Sequence, residues 1–432
     1  MRIKTQTVAS SLAAALLFSS AAPQRAYAQR RARAANSQAA RGAKSPAARR
    51  ASTRGFRFTR GDSAPGIPFD LYDGGIMLNA RINRSPVTLS IDTGASGIFA
   101  AVKPETAKRV GLAPRGGYKM GGVGGDFSVQ TAYGASVSLP GVEFTNQRIE
   151  IVPLGQDDPG EPHIDGGFGG NFLKQFVTEI DFTSHVINLY APARYSYAGA
   201  GVVVPVTIDS DGKPVVSLSV MTPEGANIQG RFIVDLGLSG TLAFFGPTVR
   251  KYRLIRSTKT IEAPASEEMG GEYRRRIGRL KTLRLGGITI DNPTVSYSTT
   301  GGENGEADGV LGMEILRRFK LAIDYTRSRL VLEPNAAFRE PYEEDMSGLA
   351  LAPALGAGRK VFKVSQVLAG TPASEAGLRT GDLITSIDDE PASRFNVDQL
   401  TRLLKNDGRE IKLTVARGGE NVKTSIKLRR LI

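Results

Sequence analysis

The chain of 432 residues carries one pattern twice, at a constant separation of 143 residues. Residues 91–97 (IDTGASG) align with 234–240 (VDLGLSG), and residues 165–169 (DGGFG) align with 308–312 (DGVLG). The same separation relates four further pairs: Pro104 and Pro247, Leu173 and Leu316, Phe176 and Phe319, and Leu189 and Leu332. Several motifs in one register are not expected by chance. The repeat therefore predicts two structurally equivalent lobes, near 66–196 and 200–336.

Each lobe has the pattern of short β-strands. Apolar and polar residues alternate at 77–82 and 87–91, and lobe 2 has corresponding strands at 215–220 and 232–234. Glycine supplies 50 of the 432 residues, which favours many tight turns. We expect two all-β lobes built as antiparallel barrels or sandwiches.

Two aspartates stand at corresponding places in the lobes. Asp92 and Asp235 each follow an apolar strand and precede a glycine-containing turn, which would present a carboxylate at the strand end. If a pseudo-twofold axis brings them together, two like charges at close range cannot both ionise, and the pair holds one proton near a working pH. The ionised partner can then activate a water molecule, while the protonated partner polarises a peptide carbonyl.

The repeated motifs resemble those of bacterial members of the pepsin/retropepsin aspartic protease clan, over about 270 residues. The resemblance implies an all-β bilobal aspartic protease fold in which Asp92 and Asp235 are catalytic, with no metal and no cofactor. It also implies residues that support the active-site turns, namely Thr93, Gly94, Gly237, Phe168, Gly169, Leu311 and Gly312. The expected activity is that of an aspartic endopeptidase acting on peptide or protein substrates.

A glycine-rich segment at 120–125 (MGGVGG) precedes Asp126. It lacks the Gly-Lys-Ser/Thr ending of a phosphate-binding loop, and Asp126 would repel a phosphate. In the clan a β-hairpin flap closes over the substrate at about this place. The resemblance therefore implies a flap with Tyr118, Gly121, Gly122 and Gly124 as members. An ordinary hairpin turn is the alternative.

Lobe 2 departs from the motif at Leu236. In the clan the threonine of each motif usually hydrogen-bonds across to the other lobe. Thr93 can do so, whereas Leu236 has no hydroxyl. Two alternatives to a working pair of aspartates therefore stay open. One is a non-catalytic, peptide-binding envelope protein with a degenerate second lobe, and the other is a symmetric site formed when lobe 1 dimerises.

The last part of the chain, 347–432, contains the sequence GTPASEAGLRTGDLI at 370–384. This segment resembles the PDZ domains of bacterial exported proteases, and implies a small α+β domain that captures a peptide by strand addition. The resemblance assigns the peptide-binding groove to Gly348, Leu349, Ala350, Leu351, Val397, Leu400, Thr401 and Leu404. For the four residues between 397 and 404, which have helical spacing, core packing is the alternative.

Most of the net charge of +14 lies at the N-terminus. Residues 1–60 hold thirteen basic residues and no acidic one, so the remainder is nearly neutral and no nucleic-acid partner is expected. Residues 1–28 combine Arg2, Lys4, an apolar run and an Ala-Tyr-Ala site, which predicts a signal peptide. The basic composition of residues 29–65, with few apolar residues, predicts a disordered linker that is either a solvated spacer or an envelope tether. We expect an exported bacterial protein, periplasmic or secreted, with a monomeric protease body.

Scarce residue types exclude other chemistries. The absence of cysteine excludes thiol catalysis, disulfides and cysteine-ligated metals, and two histidines leave little room for a histidine metal site. Residues 237–240 (GLSG) lack the G-x-S-x-G spacing of a serine hydrolase. We expect His163 and His185 to have structural or surface roles.

Overall fold

The computed structural model describes residues 55–122, 125–155, 157–256, 258–268, 271–300 and 306–432. The segment expected to be a signal peptide and most of the expected basic linker lie outside the described residues. Within these ranges, no helix is long and apolar enough to cross a membrane.

Lobe 1 is a succession of strands joined by tight turns. Its strands are β1 (Gly55–Phe58), β2 (Ser63–Tyr72), β3 (Gly75–Ile82), β4 (Ser85–Ile91), β5 (Ala100–Val102), β6 (Gly117–Gly122), β7 (Gly125–Leu139), β8 (Val142–Ile151), β9 (Gly166–Phe168), β10 (Val177–Asp181) and β11 (Val186–Tyr190). Asn83 and Arg84 both have positive φ, 47° and 72°, in the two-residue turn between β3 and β4. That backbone is typical of a type I′ hairpin, whose twist matches that of the flanking strands.

Lobe 2 repeats this construction. Its strands are β12 (Val202–Pro205), β13 (Thr207–Ile208), β14 (Pro214–Met221), β15 (Asn227–Val234), β16 (Leu242–Phe244), β17 (Thr260–Glu262), β18 (Ser266–Glu268), β19 (Gly271–Tyr273), β20 (Arg275–Arg279), β21 (Thr282–Leu285), β22 (Ile288–Asp291), β23 (Thr294–Ser298), β24 (Gly309–Leu311), β25 (Phe319–Asp324) and β26 (Arg329–Pro334). The central sheet of this lobe has the order β17-β20-β23-β16-β24-β15-β14-β21-β22.

Helices are short and lie at the ends of strands. They are α1 (Pro104–Arg109), α2 (Gly170–Leu173), α3 (Gly246–Tyr252), α4 (Met313–Leu316), α5 (Pro372–Glu375) and α6 (Val397–Leu404), with 3₁₀ turns at Pro192–Arg194, Ala336–Arg339 and Ala392–Arg394. Pro104 is the first residue of α1, where the missing N–H costs nothing, and Pro247 lies in the first turn of α3.

The sequence repeat corresponds to a repeated topology. In lobe 1, β4 pairs in parallel with β9. In lobe 2, β15 pairs in parallel with β24 at corresponding positions. The short helices α2 and α4 follow β9 and β24, and they too are separated by 143 residues. The prediction of an all-β bilobal fold is confirmed.

One antiparallel sheet joins the two lobes. Its strand order β12-β26-β25-β10-β11-β2 places the last two strands of lobe 2 beside β10 of lobe 1. Where β10 pairs with β25, Ile180 lies opposite Leu321 and Thr178 lies opposite Ile323. A single hydrophobic core runs through both lobes, from Ala64 to Tyr342. The lobes are therefore joined by backbone hydrogen bonds as well as by the chain connection. The domain limits expected from the sequence stay predictions.

A separate core lies in the C-terminal domain, between Met346 and Leu428. Its strands are β27 (Leu349–Gly356), β28 (Arg359–Val367), β29 (Leu383–Ile387), β30 (Glu390–Pro391), β31 (Glu410–Arg417) and β32 (Glu420–Lys427). They form a sheet of order β27-β28-β29-β31-β32, in which β27 is an edge strand. Helix α6 begins at an Asn396 cap, whose side chain accepts from the N–H of Gln399.

Candidate active site

Each of the two aspartates is fixed by a backbone hydrogen bond to the downstream strand. The N–H of Asp92 donates to the carbonyl of Phe168 at 2.9 Å, directly after β4 ends. The N–H of Asp235 donates to the carbonyl of Leu311 at the same distance, directly after β15 ends. Phe168 and Leu311 therefore hold the two aspartates in equivalent positions.

The glycine after each of these apolar residues allows a close approach to the turn. A Cβ at Gly169 would lie 2.4 Å from the carbonyl oxygen of Ala95, and a Cβ at Gly312 would lie 2.4 Å from that of Gly240. Atoms that close would force the backbone to shift. These two positions accept only glycine without moving the turn that carries the aspartate.

The carboxyl groups of Asp92 and Asp235 meet where the lobes join. A Cβ at Gly237 would lie 2.7 Å from Cγ of Asp92, so the lobe-2 turn touches the lobe-1 carboxyl group. The Asp92 carboxyl group is also within hydrogen-bonding reach of Asp235. Both residues are buried, with exposed fractions of 3% and 0%. The structure thus brings together the two residues for which catalysis was predicted.

Hydrogen bonding around the pair is unequal. Oδ1 of Asp92 accepts from the N–H of Ala95 at 3.0 Å, and Oδ1 of Asp235 accepts from the N–H of Gly237 at 2.8 Å. Oδ2 of Asp235 is buried, and no donor among the described residues reaches it with hydrogen-bond geometry. A proton shared with Asp92 would satisfy that oxygen, because a buried acceptor without a donor is costly.

Burial raises the pKa of the Asp235 carboxyl group, since the charged form loses its hydration. The N–H groups of Gly237 and Gly94, together with the Asp92 carboxyl group, oppose part of that rise. Lys213 opposes it further through its positive charge. Two carboxyl groups in contact cannot both ionise easily, so this arrangement is compatible with the single shared proton expected from the sequence, which stays a prediction.

Thr93 joins the two active-site turns. Its hydroxyl donates to the carbonyl of Val234 at 2.7 Å and accepts from the N–H of Leu236 at 2.9 Å. The Leu236 side chain is fully buried in the main core instead of returning an equivalent pair of bonds. Of the two motif positions, only Thr93 therefore contributes a hydroxyl group that links the two turns. At the corresponding position of lobe 2, Leu236 packs into the core instead.

Two residues near the pair were missed from the sequence. Extending the β14–β15 register by two residues places Lys213 opposite Asp235, and its side chain is buried beside Asp211, with Nζ 3.6 Å from Oδ2. The hydroxyl of Tyr325 is buried without a hydrogen-bond partner among the described residues. Burial and the negative charges of Asp235 and Asp92 raise the pKa of Tyr325. The one sequence signal that could have found either residue is the position of Lys213, which lies across the extended β14–β15 register from Asp235.

The segment expected to be a flap is a β-hairpin formed by β6 and β7, with Tyr118 opposite Val129 and Gly122 opposite Gly125. Gly121 and Gly122 lie in β6 just before the tip. Gly124 lies outside the described residues. A substrate-covering flap and an ordinary hairpin turn would both have this structure, so the role of the segment as a flap stays a prediction.

A buried acidic group supports the base of this hairpin. The Tyr118 hydroxyl lies 3.4 Å from Oε1 of Glu150, and Nε of Arg148 lies 2.7 Å from the same oxygen. Glu150 is only 1% exposed, and its Oε2 has no hydrogen-bond partner among the described residues. Burial raises the pKa of Glu150 to about 7 and that of Tyr118 to about 12.

The groove expected in the C-terminal domain lies between the edge strand β27 and helix α6. Gly348 has a φ of 76°, and its N–H donates to Oδ1 of Asp345 at 2.8 Å. The N–H of Leu349 donates to Oγ of Ser347 at 3.1 Å, so that N–H is already engaged within the loop. Ala350 and Leu351 begin the edge strand and are partly buried.

The residues of α6 divide between core and surface. Leu400 and Leu404 belong to the hydrophobic core of the domain, and Val397 packs against it. Thr401 is exposed. Core packing therefore accounts for the two leucines, while the assignment of the four residues to a peptide groove stays a prediction.

Both histidines lie away from the two aspartates in contacts of their own. The ring of His163 lies between Asp157 and Asp165, and the ring of His185 stacks on Phe69 with centroids 5.3 Å apart. In the described part of the chain, no group of three His, Cys, Asp or Glu side chains could hold a metal ion.

Residues 78–172 match the family model described as aspartyl protease, and residues 363–417 match the family model of the PDZ domain. The chain therefore carries an aspartyl protease-like domain and a PDZ domain. No curated protein matches its sequence. Among solved structures, the chain is similar to the aspartic proteinase from Irpex lacteus, at 14% identity and a TM-score of 0.44, with 64% of this chain and 99% of that chain covered.

Proposed function

We propose that this protein is an exported aspartic endopeptidase in which Asp92 and Asp235 activate a water molecule, and that its PDZ domain binds peptide or protein substrates. One observation carries the proposal: two buried carboxyl groups from equivalent turns meet at the lobe junction, and no donor in the described part of the chain reaches Oδ2 of Asp235 with hydrogen-bond geometry. Such a pair supplies a general base and a general acid in one site.

In the proposed reaction an extended peptide lies between the lobes beneath the β6–β7 hairpin. The ionised carboxylate takes a proton from water as the water oxygen attacks the scissile carbonyl carbon. The protonated carboxyl group gives its proton to the carbonyl oxygen, which produces a neutral tetrahedral intermediate. Collapse of that intermediate breaks the C–N bond: the nitrogen leaves with the proton taken from water, and the carboxylate that had donated its proton takes one back from a hydroxyl of the intermediate as the carboxylic acid product forms. The pair then holds one proton again, and no covalent enzyme intermediate forms.

The edge strand β27 supports the second half of the proposal. Its outer side has no strand partner in the sheet order, so an extended peptide could add there through backbone hydrogen bonds.

Export is proposed from the N-terminal sequence alone. The N-terminal residue of the mature protein, determined after expression in a Gram-negative host, is expected to be Gln29.

The decisive experiment measures cleavage of unfolded casein and of a peptide library by the wild type, Asp92→Asn and Asp235→Asn. Both variants are expected to lose at least about 10³-fold in kcat/KM, since each removes one member of the acid–base pair. Asp62→Asn, an exposed aspartate paired with Arg194, serves as the control and should retain wild-type turnover. Wild-type rates in Asp92→Asn would rule out this mechanism.

A second function is favoured by one feature, the missing hydroxyl at Leu236. A peptide-binding protein with a degenerate lobe 2 would bind casein without cleaving it at any pH from about 3 to 8. A symmetric site made by two copies of lobe 1 would leave activity in Asp235→Asn and make that activity depend on protein concentration. The wild type, Asp92→Asn and Asp235→Asn therefore distinguish the bilobal protease from the peptide-binding protein and from the lobe-1 dimer.

A further inference from the structure

A cavity of about 890 Å³ extends from the lobe-2 active-site turn to the PDZ domain. One end is formed by residues 238–240, which follow Asp235 by three to five positions. The opposite end is formed by helix α6 and the residues flanking it: Asn396, Asp398, Thr401, Arg402 and Lys405. The PDZ domain thus borders a space that is also lined by the turn after Asp235, although neither aspartate lines it.

The floor of this cavity is apolar. Leu238, Ala243, Phe245 and Val310 all line it, and they pack together as one cluster with Tyr273 beside them. A floor of this kind suits a bulky apolar side chain, because burying apolar surface is favourable. Arg402 is exposed on the α6 side. The lining as a whole holds seven acidic and four Lys or Arg side chains, so an acidic substrate residue would be attracted only where it meets Arg402 itself.

Helix α6 is held against the protease body by polar contacts. Oδ2 of Asp398 accepts from the backbone N–H of Asp73 at 3.2 Å, in the turn between β2 and β3. The next residue, Gly74, lies so close to Ser239 that an added Cβ would come within 2.9 Å of the serine Cβ. One turn of lobe 1 is therefore packed between α6 and the active-site turn of lobe 2.

Two further ion pairs fix the domain in this position. Nζ of Lys405, just after α6, lies 3.9 Å from Oε1 of Glu314 in helix α4. Lys360 in the PDZ domain forms a salt bridge with Glu161 of lobe 1, in which the side chains are 10% and 1% exposed. These contacts give α6 a defined place against the protease lobes.

From this arrangement, and resting on the proposed function, we propose that α6 is the outer wall of the substrate cleft on the lobe-2 side. The occupant is the part of an extended polypeptide substrate that leaves the aspartate pair over lobe 2. Its bulky apolar side chain lies on the floor of the cavity, and an acidic residue further along the segment meets Arg402. Cleavage preference is then set jointly by the protease lobes and by the PDZ domain.

This site differs from the expected peptide groove of the PDZ domain. The two share Thr401, but Arg402 lines the cavity and is not among the residues assigned to the groove. Peptides with blocked ends report on the cavity, because an amidated C-terminus offers no carboxylate to the loop at Gly348. The two sites can therefore be tested separately.

The test uses fluorescein-labelled, end-blocked peptides with an apolar centre, each made in two versions with Glu or Lys at one flanking position. Affinities are measured by fluorescence anisotropy in the full-length Asp92→Asn protein, so that no peptide is consumed. We expect a preference for Glu at one or two positions. Arg402→Glu should reverse that preference, changing the affinity ratio about fivefold or more. Arg394→Glu, an exposed PDZ arginine outside the cavity, should leave the ratio unchanged.

An affinity ratio that is the same in Arg402→Glu and Arg394→Glu would overturn the cavity assignment. Turnover by the wild type then decides the proposed function independently. A protein that cleaves casein but shows no effect at Arg402 is a protease without this wall. If the protein binds peptides with a preference that depends on Arg402 but never cleaves them, the role of α6 is supported and the proposed protease activity is wrong.

Discussion

The Thr93 hydroxyl binds the backbone on both sides of Asp235, because it accepts from the N–H of Leu236 at 2.9 Å and donates to the carbonyl of Val234 at 2.7 Å. These two bonds cross the lobe junction at the point where the carboxyl groups meet. They are fully buried, so water cannot replace either one if it is lost. One hydroxyl group therefore contributes two of the bonds that align the aspartates.

Replacing Thr93 with Val keeps the shape of the side chain but removes this hydroxyl. The N–H of Leu236 and the carbonyl of Val234 would be left buried and unpaired, at a cost of about 1–3 kcal/mol each. We expect Thr93→Val to lower the free energy of unfolding by about 3 kcal/mol in urea titration, with a loss of activity. Thr93→Ser keeps the hydroxyl and should be close to wild type. Equal stability of the Val and Ser variants would show that the bonds are unimportant.

Leu236 can be tested with an isosteric pair of variants. By the repeat, a hydroxyl at 236 would face the backbone N–H of Thr93 and the carbonyl of Ile91. Leu236→Val and Leu236→Thr lose the same core volume, but only the Thr variant can complete the missing half of the connection. We expect the Thr variant to be more stable than the Val variant by about 1 kcal/mol. A Thr variant less stable than the Val variant would mean that lobe 2 has adapted fully to an apolar residue.

Lys213 is expected to influence the upper pH limit of the proposed activity. Its positive charge favours the ionised form of Asp235 and so lowers the pKa of that carboxyl group. Lys213→Met removes the charge, hence the pKa of Asp235 should rise and the alkaline limb of kcat/KM against pH should move to higher pH. Asp211→Asn removes the nearby ion-pair partner of Lys213 and is the control. An alkaline limb that moves to lower pH in Lys213→Met would contradict this assignment.

Glu150 should make folding stability depend on pH. Its pKa is about 7 in the folded protein and near 4.5 when unfolded, so the folded state holds the proton more tightly. That stabilisation is complete below pH 4.5 and is lost as the pH rises through 7, a change of about 3 kcal/mol. Glu150→Gln should remove this slope in urea titrations between pH 5 and 8.

A matched control is available on the same strand. Glu143 is 41% exposed and forms a salt bridge with Arg57 at the surface of β8. Glu143→Gln should leave the pH slope of wild type intact. A wild-type slope in Glu150→Gln as well would show that another buried acid is responsible.

The separation of 143 residues made the bilobal fold predictable, because it paired each aspartate with its own downstream apolar-Gly support. The contact between the two carboxyl groups followed only from the resemblance and the symmetry. Sequence could not predict that β25 would pair with β10, since the alternation around Ile180 and Ile323 is the same in either lobe. Which lobe a strand joins is decided by packing across the junction.

Lys213 and Tyr325 were missed for a related reason. At the same positions lobe 1 has Asp70, of opposite charge to Lys213, and Phe182, which has no hydroxyl, so the repeat indicated neither a cation nor a hydroxyl group there. The position of α6 over the cleft was also beyond sequence reasoning. It depends on single polar contacts between distant segments, such as Asp398 with Asp73, which leave no periodic pattern.

The sheet that joins the lobes has a consequence for any shortened form of the chain. Without lobe 2, strand β10 would lose β25 and expose a row of unpaired backbone groups beside the buried side chains of Val177 and Ile180. Such an edge invites pairing with a second copy and then aggregation. Lobe 1 produced on its own is thus expected to associate through this edge, whereas a chain cut between the lobes would still be held together by the β10–β25 pairing.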